Sequence, residues 1–416
     1  MAYTGGIILF ALGILISVAL HEAGHMWSAR AFGMKVTRFF IGFGPTLFSF
    51  RRKETEYGLK AIPAGAFVSI VGMTPLDEVD PADESKVFWK RPVWKRTIVL
   101  SAGSMMHFIL GILLLWITAV FVGLPNPERV NYDANKEPAV LAAVNDCVPA
   151  SPDSVNCSLE KGDPKSPAAA AGLKPGDRIT AFNGVGTPTY GELVALVRKA
   201  PAGPASLTYV RDGRTVTTTV TPVRRNVDIS RTDKPNVQEV GFLGVSPKGS
   251  DAPLTVTYGP IDGVGQALDY TGQIFAGTFR AIANFPEKIP KLWDALMGQE
   301  RDPETPVSVV GASRIGGEVV ERGIWPIFFL LLANLNFFIG VFNLFPLLPL
   351  DGGHIAIAWF EKVRSWWAAK RGKPDPGRVD YTKLLPVTYA VVLIFGGITL
   401  LTVATDIINP ITLTTR

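Results

Sequence analysis

The chain has 416 residues, 47% of them hydrophobic, with a mean hydropathy of +0.24 and a formal net charge of +5. That length accommodates a membrane core and one soluble domain. The modest positive charge gives no reason to expect a nucleic-acid partner, because the basic residues cluster beside apolar runs, as membrane topology requires.

The first apolar run covers residues 5–31 and contains no charged side chain before His21. It lacks the basic start and small-residue cleavage site of a signal peptide, so a retained membrane helix is expected. Within it stands His21-Glu22-Ala23-Gly24-His25. Ionisable groups at membrane depth are costly and usually functional. On a helix, histidines at i and i+4 share a face and can hold one zinc ion, and the adjacent glutamate is placed as a general base. A polar patch in helix packing is the bland alternative.

Residues 34–96 form a loop rich in Lys and Arg, which reads as cytoplasmic. Glu56 to Ile70 looks like short extended segments broken by Gly and Pro, either an interfacial loop or a β-hairpin at the membrane face. A hairpin would present an edge to an extended substrate. Residues 74–85 follow as an acidic, solvated loop. A second span is expected over 97–122, carrying Ser101, Ser104 and His107.

Residues 124–250 then form an outward-facing module. A short helix precedes Gly172, Pro175-Gly176-Asp177 is a turn, and 178–182 is a strand. Asn183-Gly184 is a second turn, 190–198 has helical spacing, and 206–211 and 215–221 flank the hairpin pair Asp212-Gly213. One more strand is expected over 241–246. Cys147 and Cys157 lie in this region without metal-site spacing, and both a disulfide and two free thiols stay open.

Residues 251–323 are amphipathic or interfacial. Ala267, Ile274, Phe275, Phe279 and Ile282 fit a helix lying on the membrane or on the protein itself, and the small-residue stretch 306–317 reads as re-entering the bilayer edge. A third span starts near Trp325 and leads into Asn343-Leu-Phe-Pro346-Leu-Leu-Pro349-Leu-Asp351-Gly352-Gly353-His354, within 324–360. Residues 361–383 read as a basic cytoplasmic loop, and 384–416 as the fourth span and tail. Four crossings place both termini and the module outside. From Ile7 to His21 the first helix rises roughly 21 Å, which puts the histidines toward the cytoplasmic side.

A hydrolytic zinc takes three protein ligands and an open position. Asp351 is the third candidate, at matching depth, where Pro346 and Pro349 break the helix and Gly352 allows close approach. His354 is an alternative ligand or a supporting residue. His107 reads equally as a site neighbour or a packing histidine. Asn343 is open between gripping substrate and bonding another helix.

Together these residues resemble the site-2 protease family of intramembrane zinc metalloproteases. HEAGH is similar to its HExxH, the Asn343 to Gly353 run to its NxxPxxxxDG element, residues 166–179 to a PDZ domain, and Tyr57 to Val68 to its membrane-associated hairpin. The single PDZ-like stretch and the cysteine pair look most like the actinobacterial branch. The resemblance implies a polytopic α-helical membrane protein with about four spans, a cytoplasmic β-hairpin or sheet and an inserted extracytoplasmic PDZ-like α/β domain. It implies Zn2+ held by His21, His25 and Asp351, Glu22 as the base, and Gly65, Ala66 and Phe67 as substrate-guiding residues. Implied partners are membrane lipids and single-span transmembrane substrates such as anti-sigma factors, in a plasma membrane. The chain departs from many members of the family in lacking a Gly-Pro and a following Asn at Gly103 to His107, and in having Gly65-Ala66 where paired glycines are common. A non-catalytic PDZ-bearing scaffold is the competing function, and it predicts no bound zinc.

Overall fold

A computed structural model describes residues 1–73, 79–148, 157–161, 163–228 and 237–413. It divides into two compact units, one formed by Met1–Leu124 with Val256–Arg416 and the other by Pro125–Thr255. Among the described residues, four helices are long and apolar enough to cross a membrane.

The larger unit opens with α1 (Ala2–Ala31), whose buried positions Gly6, Phe10, Ile14, Ser17, His21, Gly24 and His25 recur every three to four residues along one face. Two long antiparallel strands follow, β1 (Val36–Arg52) and β2 (Thr55–Ile70). Both are bent, so the pair makes four segments. Residues 66–69 pair with 38–41, which pair on their other side with 56–59, which in turn pair with 48–51. Gly42 and Gly44 take φ of +88° and +82° at the bend of β1, and a side chain at Gly42 would strike the Ile62 carbonyl. Of the acidic stretch 74–85, residues 74–78 lie outside the described part, and Pro81–Lys86 is a 3-10 turn capped by Asp80. Helix α2 (Val93–Ile117) ends in a π-type turn over Thr118–Val122.

After β3 (Leu124–Pro125) the smaller unit begins with α3 (Pro127–Val130) and β4 (Leu141–Val144). Helix α4 (Pro167–Ala170) is capped by Ser166, and β5 (Arg178–Phe182) and β6 (Val185–Gly186) follow. Asn183 and Gly184 between them both take positive φ, as a tight hairpin requires. Helix α5 (Tyr190–Lys199) starts with a full capping box of Thr189 and Glu192. Strands β7 (Ala205–Arg211) and β8 (Arg214–Val220) turn at Asp212-Gly213. The four-stranded sheet runs β6-β5-β7-β8. The expected strand at 241–246 is instead the end of β10 (Val237–Phe242) and the start of β11 (Val245–Pro247). Gly244, at φ +80°, separates them. Strand β9 (Val223–Asp228) pairs with β10, and β11 with β4. Leu141, Ile179, Phe182, Leu193 and Leu207 fill the core of this unit. Cys147 and Cys157 are joined in a disulfide.

Beyond β12 (Thr255–Val256) the chain returns to the larger unit with α6 (Asp262–Leu296). Ala267, Ile274 and Phe275 of α6 pack into the core with Phe10, Leu115, Phe328 and Phe337, while Phe279 stays exposed. Of the two placements open for this helix, packing on the protein holds for its first half and again at its end, where Leu292 and Ala295 are buried against the helix Leu385–Ile408.

Of residues 306–317, expected to re-enter the bilayer edge, 309–317 belong to a regular helix, α7 (Val309–Glu321), packed against α1. Its small residues serve close packing, since a side chain at Gly316 would strike Phe10 and one at Gly317 would strike Ile7. The third span is α8 (Trp325–Asn343), and the basic loop expected over 361–383 is helical as far as Lys370, within α9 (Asp351–Lys370). The run of Lys and Arg masked a helical spacing of Trp359, Val363, Trp366 and Trp367. Helix α10 (Leu385–Ile408) completes the unit. Its end is tied to the α6–α7 connection by a buried ion pair, Arg301 to Asp406 at 2.7 Å.

Candidate metal centre

The i, i+4 spacing on α1 brings the two imidazoles together. His21 Nε2 and His25 Nε2 lie 3.1 Å apart, and each is 3.3 Å from Asp351 Oδ2 at the first turn of α9. The two histidines are buried and the aspartate nearly so. The Nδ1–H of His25 donates to the Val99 carbonyl of α2 at 2.7 Å. That bond fixes the tautomer, so the Nε2 of a neutral His25 presents a lone pair to the other two atoms.

The lone pair of His25 Nε2 and the Asp351 carboxylate, 3.3 Å apart, would repel without a cation between them. Asp351 Oδ2 is buried with no hydrogen-bond partner, as is His21 Nδ1. Tetrahedral zinc with ligands at 2.0–2.1 Å spaces those ligands about 3.3 Å apart. The observed triangle has that size, so the donor set fits zinc without rearrangement.

The surroundings explain how the triangle is held. Gly103 of α2 lies directly against it: an added Cβ would strike His25 Nε2 and sit 2.5 and 2.6 Å from His21 Cε1 and Nε2. Helices α1 and α2 touch backbone to backbone at Gly24, where a Cβ would be 2.6 Å from the Ala102 carbonyl. Asp351 arrives because α8 stops at Asn343 and the Pro346–Pro349 segment turns the chain back. Side chains at Gly352 and Gly353 would strike the backbone of Leu344 and Leu347. Glu22 lies next to His21, and its carboxyl sits beside the Val68 backbone in segment 66–69, an outer edge of the β1–β2 sheet.

The remaining expected residues are placed as follows. Asn343 is half-buried in the last turn of α8. Pro346, Leu347, Gly353, Phe360 and Val387 line an apolar cavity of about 330 Å³. Gly65, Ala66 and Phe67 lie in β2, with Ala66 opposite Ile41 and the Phe67 ring stacked on Phe40 at 5.6 Å. His354 does not join the converging atoms, and its Nδ1 is 3.3 Å from the Tyr381 hydroxyl. The His107 ring stands 5.1 Å from that of His21, and its Nδ1 lies 2.8 Å from Asn336 Oδ1. Reading the sequence missed Asn336, Gly103 and Val99. Asn336 is a polar residue inside an apolar span and could have been singled out on that ground.

In the smaller unit, a cavity of about 300 Å³ is lined by Tyr190, Leu193 and Val197 of α5 and by Gly241, Phe242 and Gly244.

An apolar multi-helix core with a buried His-His-Asp cluster and an adjacent glutamate defines a membrane-embedded metallohydrolase. The profile of peptidase family M50 matches residues 9–374, and the chain belongs to that family, the site-2 proteases. It is similar to the zinc metalloprotease Rip1 of Mycolicibacterium smegmatis, 43% identical over 419 residues, covering 99% of this chain and 100% of the relative. It is similar also to the zinc metalloprotease Rip1 of Mycobacterium tuberculosis, 42% identical over 422 residues with the same coverage. The chain is thus a zinc metallopeptidase of the membrane, and the non-catalytic scaffold reading is set aside.

Proposed function

We propose that the protein cuts peptide bonds within or near transmembrane segments of single-span proteins, with zinc held by His21, His25 and Asp351. The observation that carries this reading is the 3.1–3.3 Å triangle of ligand atoms beside Glu22. Bound zinc supplies Lewis acidity to a water molecule and to the scissile carbonyl. Glu22 accepts the proton that the attacking water loses and returns it to the leaving amine. His25, pinned to Val99, keeps its Nε2 aimed at the ion. The 66–69 edge supports binding of an unwound substrate as an added strand, with Gly65, Ala66 and Phe67 beside it. Asn343, Pro346, Pro349 and Gly352, on the chain leading into Asp351, are assigned to the same substrate-binding role.

The basic residues of the 34–96 and 361–383 stretches support a cytoplasmic placement of the site in the plasma membrane, with the smaller unit outside. That unit is read as a PDZ-like domain. Its 300 Å³ groove receives a substrate's exposed C-terminus, and its disulfide suits an oxidising side. Substrates of the anti-sigma-factor type fit this arrangement. Glu22→Gln is expected to retain fold and zinc stoichiometry while cleavage of a reporter transmembrane substrate stops. Normal turnover by that variant would defeat the reading.

A further inference from the structure

We propose that the outward face of α9 is a docking surface for anionic phospholipid headgroups of one membrane leaflet. Trp359, Phe360, Val363, Trp366 and Trp367 are each about half exposed, at 47%, 57%, 50%, 55% and 53%. Their spacing places them on one stripe, opposite the buried Ala358 and Glu361. So large a contiguous aromatic patch is not left in water by a soluble surface.

The stripe is held in a fixed orientation. Glu361 accepts from Arg96 of α2 at 3.1 Å and from the Val379 N–H at 2.9 Å, so α9 cannot roll to hide its rings. Its position in the chain sets its depth. Helix α9 is not one of the four candidate spans, yet it connects two of them, α8 and α10. The end of α8 and the start of α10 therefore share a leaflet, and the helix between them lies at that leaflet's surface. Tryptophans concentrate at that depth.

Charge selects the occupant. Residues 361–383 hold seven basic residues, Lys362, Arg364, Lys370, Arg371, Lys373, Arg378 and Lys383, against three acids. All three acids are engaged: Glu361 as above, Asp375 by the Ser365 hydroxyl and Asp380 by Thr382. Lys370 Nζ sits 4.1 Å from the Trp366 ring centre and the Arg371 guanidinium 4.8 Å from that of Trp367. Cations and rings thus gather at one end of the stripe, the arrangement by which an interfacial helix binds acidic lipid. The proposal does not depend on which residues hold zinc.

The test uses the full-length protein in nanodiscs of phosphatidylcholine doped with brominated phosphatidylglycerol or brominated phosphatidylcholine. Quenching of tryptophan fluorescence is read, and the Trp366→Phe, Trp367→Phe variant identifies the component that belongs to the stripe. Quenching at a much lower fraction of the acidic lipid is expected, and salt should erase the preference. Each cation near the surface contributes about fivefold. The Lys370→Gln, Arg371→Gln, Lys373→Gln variant should therefore lose on the order of a hundredfold in selectivity while still cleaving a reporter substrate. Equal quenching by both lipids, or an unchanged preference in the triple variant, would overturn the proposal. So would unquenched stripe tryptophans accompanied by cross-links between two copies through α9.

Discussion

Gly103→Ala is the most demanding test of the site geometry. The new methyl would strike His25 Nε2 and sit 2.5 Å from His21 Cε1 and 2.6 Å from its Nε2. Relaxed contacts between such atoms need about 3.5 Å. One side must therefore retreat by about 1 Å. The helices cannot simply part there, because α1 and α2 already meet backbone to backbone at Gly24 and Ala102, and the Val99 carbonyl holds His25. The imidazoles are then the groups that move, and the 3.1–3.3 Å triangle opens. Disturbing the support of a metal ligand typically costs ~10–100-fold in affinity. A shift of about 1 Å costs on the order of a hundredfold in rate. Zinc affinity would be measured by competition with a chromophoric chelator, and turnover with a reporter transmembrane substrate. Gly5→Ala is the control, since nothing lies within 4 Å of its added Cβ. Helix propensity favours alanine at either site by roughly 0.5–1 kcal/mol, so a generic helix effect would stabilise both variants. Zinc affinity and turnover at parental values in Gly103→Ala would refute the placement of the imidazoles against α2.

Three further outcomes are expected. Asp351→Asn keeps the size of the side chain but removes its charge, so zinc should dissociate in weaker chelator than it does from the parent, with cleavage lost in parallel. Asn336→Leu removes the partner of His107 and should cost about 1–3 kcal/mol by leaving a buried imidazole nitrogen unsatisfied, read as earlier thermal unfolding in detergent. Asp406→Asn removes the countercharge of Arg301, whose side chain is 3% exposed, and should destabilise the larger unit by ~3 kcal/mol; a melting temperature equal to the parent's would contradict this.

The legible parts of the molecule were those written locally in the chain. His21 and His25 are one helical turn apart, and Asn183-Gly184 and Asp212-Gly213 demand tight turns wherever they stand between strands. The position of Asp351 beside the histidines needed one more step, the count of ligands that zinc takes. What stayed hidden was carried by contacts between distant segments. Gly103 is an ordinary helix glycine until α1 is laid against it. Asn336 and His107 are 229 positions apart and become partners only through the packing of α8 on α2. Nothing local in the chain tells which neighbour the glycines of α7 admit, and Gly316 and Gly317 are explained only by the approach of Phe10 and Ile7 of α1. In α9 the basic residues obscure the aromatic period, because a run of Lys and Arg has the composition of a solvated loop whether or not its spacing is helical.

The sheet edge beside Glu22 bears on the central difficulty of cutting a membrane helix. A substrate helix satisfies its own backbone, and each peptide group freed at membrane depth costs several kcal/mol unless it finds a partner. Hydrolysis needs such a freed group next to the ion. Among the described residues segment 66–69 pairs as a strand with 38–41 alone, and Val68 on it lies beside the Glu22 carboxyl. An unwound substrate strand that added to the other side would recover backbone hydrogen bonds lost from its helix, within reach of the base. In the proposed mechanism the edge and the base therefore act as one device, in which the bonds that stabilise the extended substrate also set which carbonyl meets the zinc. The glycine at position 65, with φ +138°, ends the edge where a side chain would press on Phe43, 3.0 Å from the added Cβ. A bulky residue there should shift or shorten the edge and so move the cleavage position without lowering zinc content. Cleavage by Gly65→Val at the parental peptide bond and rate would separate the sheet from substrate binding.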